Sequence, residues 1–135
     1  MRVVFDSNVL ISALTLPGGS ADRAVAAVLD GRVTLLLSKP ILGETLGVLG
    51  RKFSRDTEEL ARLAVFLADL TEFIATTRRI DVLADDPDNR VLECALAGAA
   101  QLIVTGDRAM LALRDYGGME IVTLREFLRR METTS

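Results

Sequence analysis

Four of the nineteen acidic residues in this 135-residue sequence are placed where they could do chemistry together: Asp6, Glu44, Asp88 and Asp107. Asp6 directly follows the apolar run Val3-Val4-Phe5, and Asp107 lies just past Leu102-Ile103-Val104. Glu44 is set among Ile41, Leu42, Leu46 and Val48, with Gly43 and Gly47 nearby to permit close approach. Asp88 precedes an apolar stripe, Val91, Leu92, Ala95, Leu96 and Ala99. Taken singly, each has an ordinary role. Asp6, Asp88 and Asp107 stand where aspartate caps a helix, and a mid-helix glutamate is commonly solvated. If they converge, the physics changes. Two carboxylates ~4 Å apart repel by roughly 1 to 4 kcal/mol, depending on screening. A cluster of them destabilises the fold unless one is protonated or a cation binds. Hard oxygen ligands suit Mg²⁺ or Mn²⁺, and such ions promote hydrolysis of phosphodiesters.

Other chemistries are removed by composition. There is no histidine, so serine or cysteine hydrolysis with a histidine base is excluded, and so is histidine-ligated zinc. The single cysteine, Cys94, has no internal disulfide partner, which fits a reducing cytoplasm. No apolar stretch approaches the ~20 residues that cross a bilayer, and Met1-Arg2-Val3-Val4-Phe5 runs into Asp6 without a signal-peptide core. The net charge is −3, whereas proteins that hold nucleic acid by bulk electrostatics are usually basic. A nucleic-acid ligand would need local basic patches, a partner chain or metal ions.

Alternating elements must position the acids. Strands are expected at Arg2 to Phe5, Val33 to Leu37, Phe73 to Ala75, Leu102 to Val104 and Ile121-Val122. Helices are expected over Asn8 to Leu14, Ala21 to Leu29 behind Ser20, and Ser38 to about Phe53. Further helices are expected over Asp56 to Leu70, along the Val91 to Ala99 stripe, over Arg108 to Leu113, and from Thr123 to about Met131. Ile80 to Asn89 reads as a polar loop, Tyr116 to Met119 as a turn, and 132–135 as a frayed tail. The length fits one domain, 1–135. Strands alternating with helices imply a mostly parallel sheet covered on both faces. In such sheets ligands bind beyond the carboxyl ends of the strands, where the strand order switches. Asp6 and Asp107 both fall at such ends.

These blocks resemble the PIN-domain nucleases, in particular the VapC-like toxins of bacterial and archaeal toxin–antitoxin pairs. The matching segments are Val3-Val4-Phe5-Asp6-Ser7-Asn8-Val9-Leu10, and Ser38 to Leu49 with Pro40, Leu42, Glu44 and Leu46. They continue with Asp86-Pro87-Asp88-Asn89-Arg90-Val91-Leu92-Glu93-Cys94-Ala95, Leu102-Ile103-Val104-Thr105-Gly106-Asp107, and the closing Ile121 to Leu128. The likeness covers essentially the whole chain. It implies an α/β three-layer sandwich with a five-stranded parallel sheet in the order 3-2-1-4-5 and helices on both faces. It implies that Asp6, Glu44, Asp88 and Asp107 are catalytic metal ligands for Mg²⁺ or Mn²⁺, with Asn8 and Thr105, and less directly Ser7, as polar supports. It also implies an RNA substrate, a cognate antitoxin and a homodimer. Asp85, Asp86 and Asp88 compete for the third acid; Asp88 is chosen because it opens the striped helix, whereas Asp86 would make the loop set the site. Arg51, Lys52, Arg55 and Arg108 are candidate phosphate contacts, with solvated helix charge as their ordinary alternative. The single Tyr116 offers little stacking surface for bases.

Two rivals remain open at the level of sequence. One is another Mg-dependent phosphate hydrolase on a similar sheet; the haloacid-dehalogenase pattern wants an aspartate where Asn8 stands. The other is a catalytically inactive PIN-like module acting through a protein partner.

Overall fold

A computed structural model describes residues 1–133, the side chain of residue 133 excepted. The elements run β1 (Arg2–Phe5), α1 (Ser7–Thr15), α2 (Ser20–Leu29), β2 (Thr34–Leu37), α3 (Lys39–Lys52), α4 (Thr57–Leu70) and β3 (Glu72–Phe73). They continue with α5 (Asp86–Ala97), β4 (Leu102–Val104), α6 (Arg108–Leu113), β5 (Asp115–Tyr116), β6 (Met119–Val122) and α7 (Leu124–Thr133). The last helix thus extends through Glu132 and Thr133, which were expected to fray; 134 and 135 lie outside the described residues.

The sheet order is β3-β2-β1-β4-β6-β5. All pairings are parallel except that of β5 with β6. The expected five-stranded parallel order is therefore present, with one antiparallel edge strand added. That strand was read as part of a turn because it is so short. Gly117 and Gly118 both have positive φ, 58° and 85°, the backbone that a two-residue hairpin requires and that glycine adopts without steric cost.

Strands β1, β2 and β4 are apolar and buried throughout their central positions because helices cover both faces. Helix α5 packs against β1, β2 and β4, while α2 packs against α1 and α7. Phe127 of α7 meets Phe5 of β1 edge to face, with ring centroids 5.5 Å apart, so the residue just before Asp6 is fixed in the core.

After β3, residues 74–85 cross to α5 without helix or strand. The crossing is held by side chains of α5. The Val82 and Leu83 amides donate to Asn89 Oδ1 at 3.1 and 2.9 Å, and Asn89 Nδ2 donates to the Leu83 carbonyl at 2.8 Å. The Ile80 amide donates to Glu93 Oε2 at 2.7 Å. Buried Glu93 also pairs with Arg90 at 2.8 Å.

Candidate functional site

The register of β1 against β4 sets the site. Val3, Val4 and Phe5 lie opposite Leu102, Ile103 and Val104, and the Asp6 amide continues the ladder onto the Val104 carbonyl at 3.1 Å. Asp6 and Thr105 therefore leave the sheet side by side. This is the switch point: the chain leaves β1 toward β2 and β3 and returns on its other side as β4.

Asp6 and Asp107 each cap a helix, as their ordinary reading held. Asp6 Oδ1 accepts from the Val9 amide at 2.9 Å, and Asp107 Oδ2 accepts from the Met110 amide at 2.9 Å. Capping and a shared site are not alternatives here, because each carboxylate has a second oxygen. Buried Thr105 joins the two acids. Its hydroxyl donates to Asp6 Oδ2 and accepts from the Asp107 amide at 3.0 Å. Asp6 is only 4% exposed. Burial pushes its carboxyl above the usual range, the Thr105 and Val9 bonds oppose this, and the charge of Asp107 adds to it.

Asp88 joins them from α5. The helix opens one turn earlier than expected, with Asp85 at the cap position, so Asp88 lies in the first turn rather than at the opening. It shares the buried face with Val91, Leu92 and Ala95. Its carboxyl is pushed up to about 7, first by burial, then by the charges of Asp107, Asp85 and Asp6. Its Oδ2 is buried without a partner. Asp86 goes the other way: it is exposed and pairs with Arg90 at 3.2 Å and Arg79 at 3.7 Å.

Glu44 is half-buried on α3, one turn past Pro40. It lines a cavity of about 250 Å³ with Ser7, Pro40, Asp86, Arg90 and Val91. It thus borders the neighbours of Asp6 and Asp88 but takes no part in the coupling of the other three acids. Asn8 is exposed and has no hydrogen bond to any of them; it lines a separate cavity beside Thr105.

Residues 2–109 match the PIN domain family. The chain belongs to the PIN-domain family. Its sequence is also 25% identical over 144 aligned positions to the uncharacterised protein MJ1680 of Methanocaldococcus jannaschii, covering 98% of this chain and 92% of that one. The PIN fold is similar to two solved VapBC structures. One is VapBC-1 from nontypeable Haemophilus influenzae (TM-score 0.67, 14% identity, 93% of this chain and 99% of that one). The other is VapBC2 from Rickettsia felis bound to a promoter DNA fragment (TM-score 0.65, 17% identity, 91% and 98%). The PIN domain of T. brucei RRP44 matches at TM-score 0.50 and 17% identity, over 98% of this chain and 79% of that one.

Could these residues hold a metal? Among the described residues no three His, Cys, Asp or Glu side chains form a ready-made metal-binding group. The chemistry of the PIN-domain acids nevertheless fits a hard divalent cation. All the donors are carboxylate oxygens, three carboxyls repel one another, and one buried oxygen is unpartnered. Asp88 feels the charges of both Asp107 and Asp6, and its buried Oδ2 has no hydrogen-bond partner. A cation there would offset the repulsion that raises the Asp88 carboxyl.

The candidate phosphate contacts divide. Arg108 is exposed and adjoins Asp107. Arg51 and Lys52 lie at the far end of α3, roughly 10 Å beyond Glu44 by helical rise, and Arg55 is paired with Glu59 at 3.2 Å. The structure does not bring these three to the acids. Cys94 is buried and its thiol is pushed up to about 11, chiefly by burial, which makes it inert. Sequence reasoning missed the roles of Asn89, Arg90 and Glu93. Their signal was a set of polar residues at positions 89, 90 and 93 interleaved with the apolar stripe.

Proposed function

We propose that this chain is a metal-dependent ribonuclease that hydrolyses RNA phosphodiester bonds, and that it serves as the toxin of a toxin–antitoxin pair. The observation that carries the reading is the coupling of Asp6, Asp88 and Asp107 at the β1/β4 switch point of a PIN fold. Mg²⁺ or Mn²⁺ held by these acids, with Glu44 completing the set from α3, would supply the positive charge that offsets the phosphate and acidifies an attacking water. Thr105 fixes the Asp6 carboxylate and the start of the Asp107 turn. Asp88, its carboxyl raised by burial and by the charge of Asp107, holds its proton more tightly than an ordinary aspartate until a cation offsets that charge. Arg108 stands beside Asp107 to meet a phosphate oxygen.

The toxin role is supported by fold likeness to VapBC assemblies and by uncovered apolar surface. Leu29, Val65 and Phe66 are exposed on α2 and α4, a surface suited to an antitoxin or to a second copy in a homodimer. No helix among the described residues is long and apolar enough to cross a membrane, which fits the cytoplasmic setting expected from sequence.

The test is cleavage of a labelled single-stranded RNA with and without Mn²⁺. Wild type should cut only with metal, and Asp6→Asn and Asp88→Asn should each lose about a hundredfold or more. Equal cutting in EDTA, or by both variants, would refute the proposal. A cellular effect that survives Asp6→Asn would favour the inactive binding module instead.

A further inference from the structure

The net charge of −3 makes the distribution of cations decisive, because an RNA strand must approach an acidic cluster on an acidic protein. Strand β6 is parallel to β1 and β4, so its end and the start of α7 share the sheet edge with Asp6 and Asp107. A cavity of about 340 Å³ opens there, walled by Asn8, Ser12, Thr105, Gly106, Thr123 and Arg125. Arg125 and Leu124 also wall a second cavity of about 590 Å³, between α2 and α7, with Arg23, Arg129, Leu128 and Glu132. The two share Leu124 and Arg125 as walls; the first also touches Thr105, the residue bonded to Asp6, and the second lies between two helices.

Charge on these walls is unevenly used. Arg129 is neutralised by Glu126 at 2.5 Å, and on other faces Arg55 and Arg62 pair with Glu59 and Glu58. Arg125 is exposed and has no acidic partner among the described residues, and Arg23 contacts only the Ser20 hydroxyl at 3.3 Å. The floor is aliphatic, Leu124 and Leu128, with no aromatic ring on which a base could stack. Such a surface grips a phosphate backbone and does not read bases.

We propose that a single RNA strand runs from the acid cluster along the groove between α7 and helices α1 and α2, its phosphates held by Arg125 and Arg23. The inference rests on the nuclease reading and adds the direction in which the substrate leaves the site. Continuity with Thr105 and Gly106 favours a nucleic acid over an acidic peptide, since a substrate must occupy the acid cluster and its flanks together.

The test is binding of a short fluorescein-labelled single-stranded RNA to the full chain, followed by anisotropy across a salt series in EDTA and in Ca²⁺. Cleavage of the same RNA in Mn²⁺ is scored separately. Arg23→Gln with Arg125→Gln should weaken binding about tenfold and reduce the slope of log affinity against log salt by about 1.4, the share of two phosphate contacts. Arg62→Gln, which removes a charge from α4, should leave binding unchanged. Unchanged binding in the double variant overturns the groove while wild-type cleavage upholds the nuclease. Loss of binding in the double variant supports the groove even if wild type fails to cleave. If wild type binds a polyglutamate peptide but not RNA, the groove is a protein-docking surface and the proposal falls.

Discussion

The hydroxyl of Thr105 bonds the Asp6 carboxylate and receives the Asp107 amide, so two acids depend on one small side chain. Thr105→Val keeps the shape but strands both partners in a buried setting. It should cost about 2 kcal/mol in urea unfolding, and Thr105→Ser should restore most of it. Asp88 gives a pH signature. Its folded-state pKa is raised from 3.8 to about 7 by burial and by Asp107, Asp85 and Asp6. Between those values the folded state binds more protons than the unfolded one, so this group's stabilisation is full below about pH 4 and is lost as pH rises through 7. The thermal midpoint of metal-free protein should therefore fall over this window, and the fall should flatten in Asp88→Asn. The acids were legible in sequence because Asp6 and Asp107 end buried strands. Asp88 is preferred to Asp86 in sequence because it opens the striped helix; in the structure Asp88 is buried in the first turn of α5 while Asp86 is exposed and paired with Arg90 and Arg79. The coupling between the acids was not legible, because it depends on register.

Helix α5 carries more than Asp88. Asn89 accepts two hydrogen bonds from the 74–85 crossing and donates a third to it, and Glu93 accepts a fourth. That crossing has almost no ladder of its own, so buried polar side chains replace it. Asn89→Ala should cost about 3 kcal/mol by leaving three backbone groups unpaired. Hydrogen exchange at the Val82 and Leu83 amides should accelerate before the sheet amides respond; uniform acceleration would mean the crossing does not open by itself. The sequence places a polar loop at Ile80 to Asn89, but its last four residues open α5, the strand expected at Phe73 to Ala75 ends at Phe73, and nothing in the sequence showed what tied the crossing down. The β5–β6 hairpin escaped for a related reason. Two-residue strands carry no periodicity, and only the Gly117-Gly118 pair marked the turn. Arg51 and Lys52, candidate phosphate contacts in the sequence, start about two turns beyond Glu44 on α3.

Across the whole molecule, the outward run β1-β2-β3 and the return through β4 gather acids from separate segments at one sheet edge. Strand order was legible only through family resemblance; alternation alone gave the parallel sheet. The price of this convergence is like-charge repulsion, which a proton on Asp88 relieves in the metal-free chain and a cation should relieve better. These acids are expected to act as one cation site. This is tested most directly by the thermal midpoint, above pH 7, of wild type, Asp6→Asn and Asp88→Asn with and without Mn²⁺. At about 100 times its dissociation constant the ion should stabilise wild type by roughly 2.7 kcal/mol. Both variants should lose that response, and Asp88→Asn should be the more stable protein without metal. A wild-type midpoint that does not move at any Mn²⁺ or Mg²⁺ concentration would contradict the account.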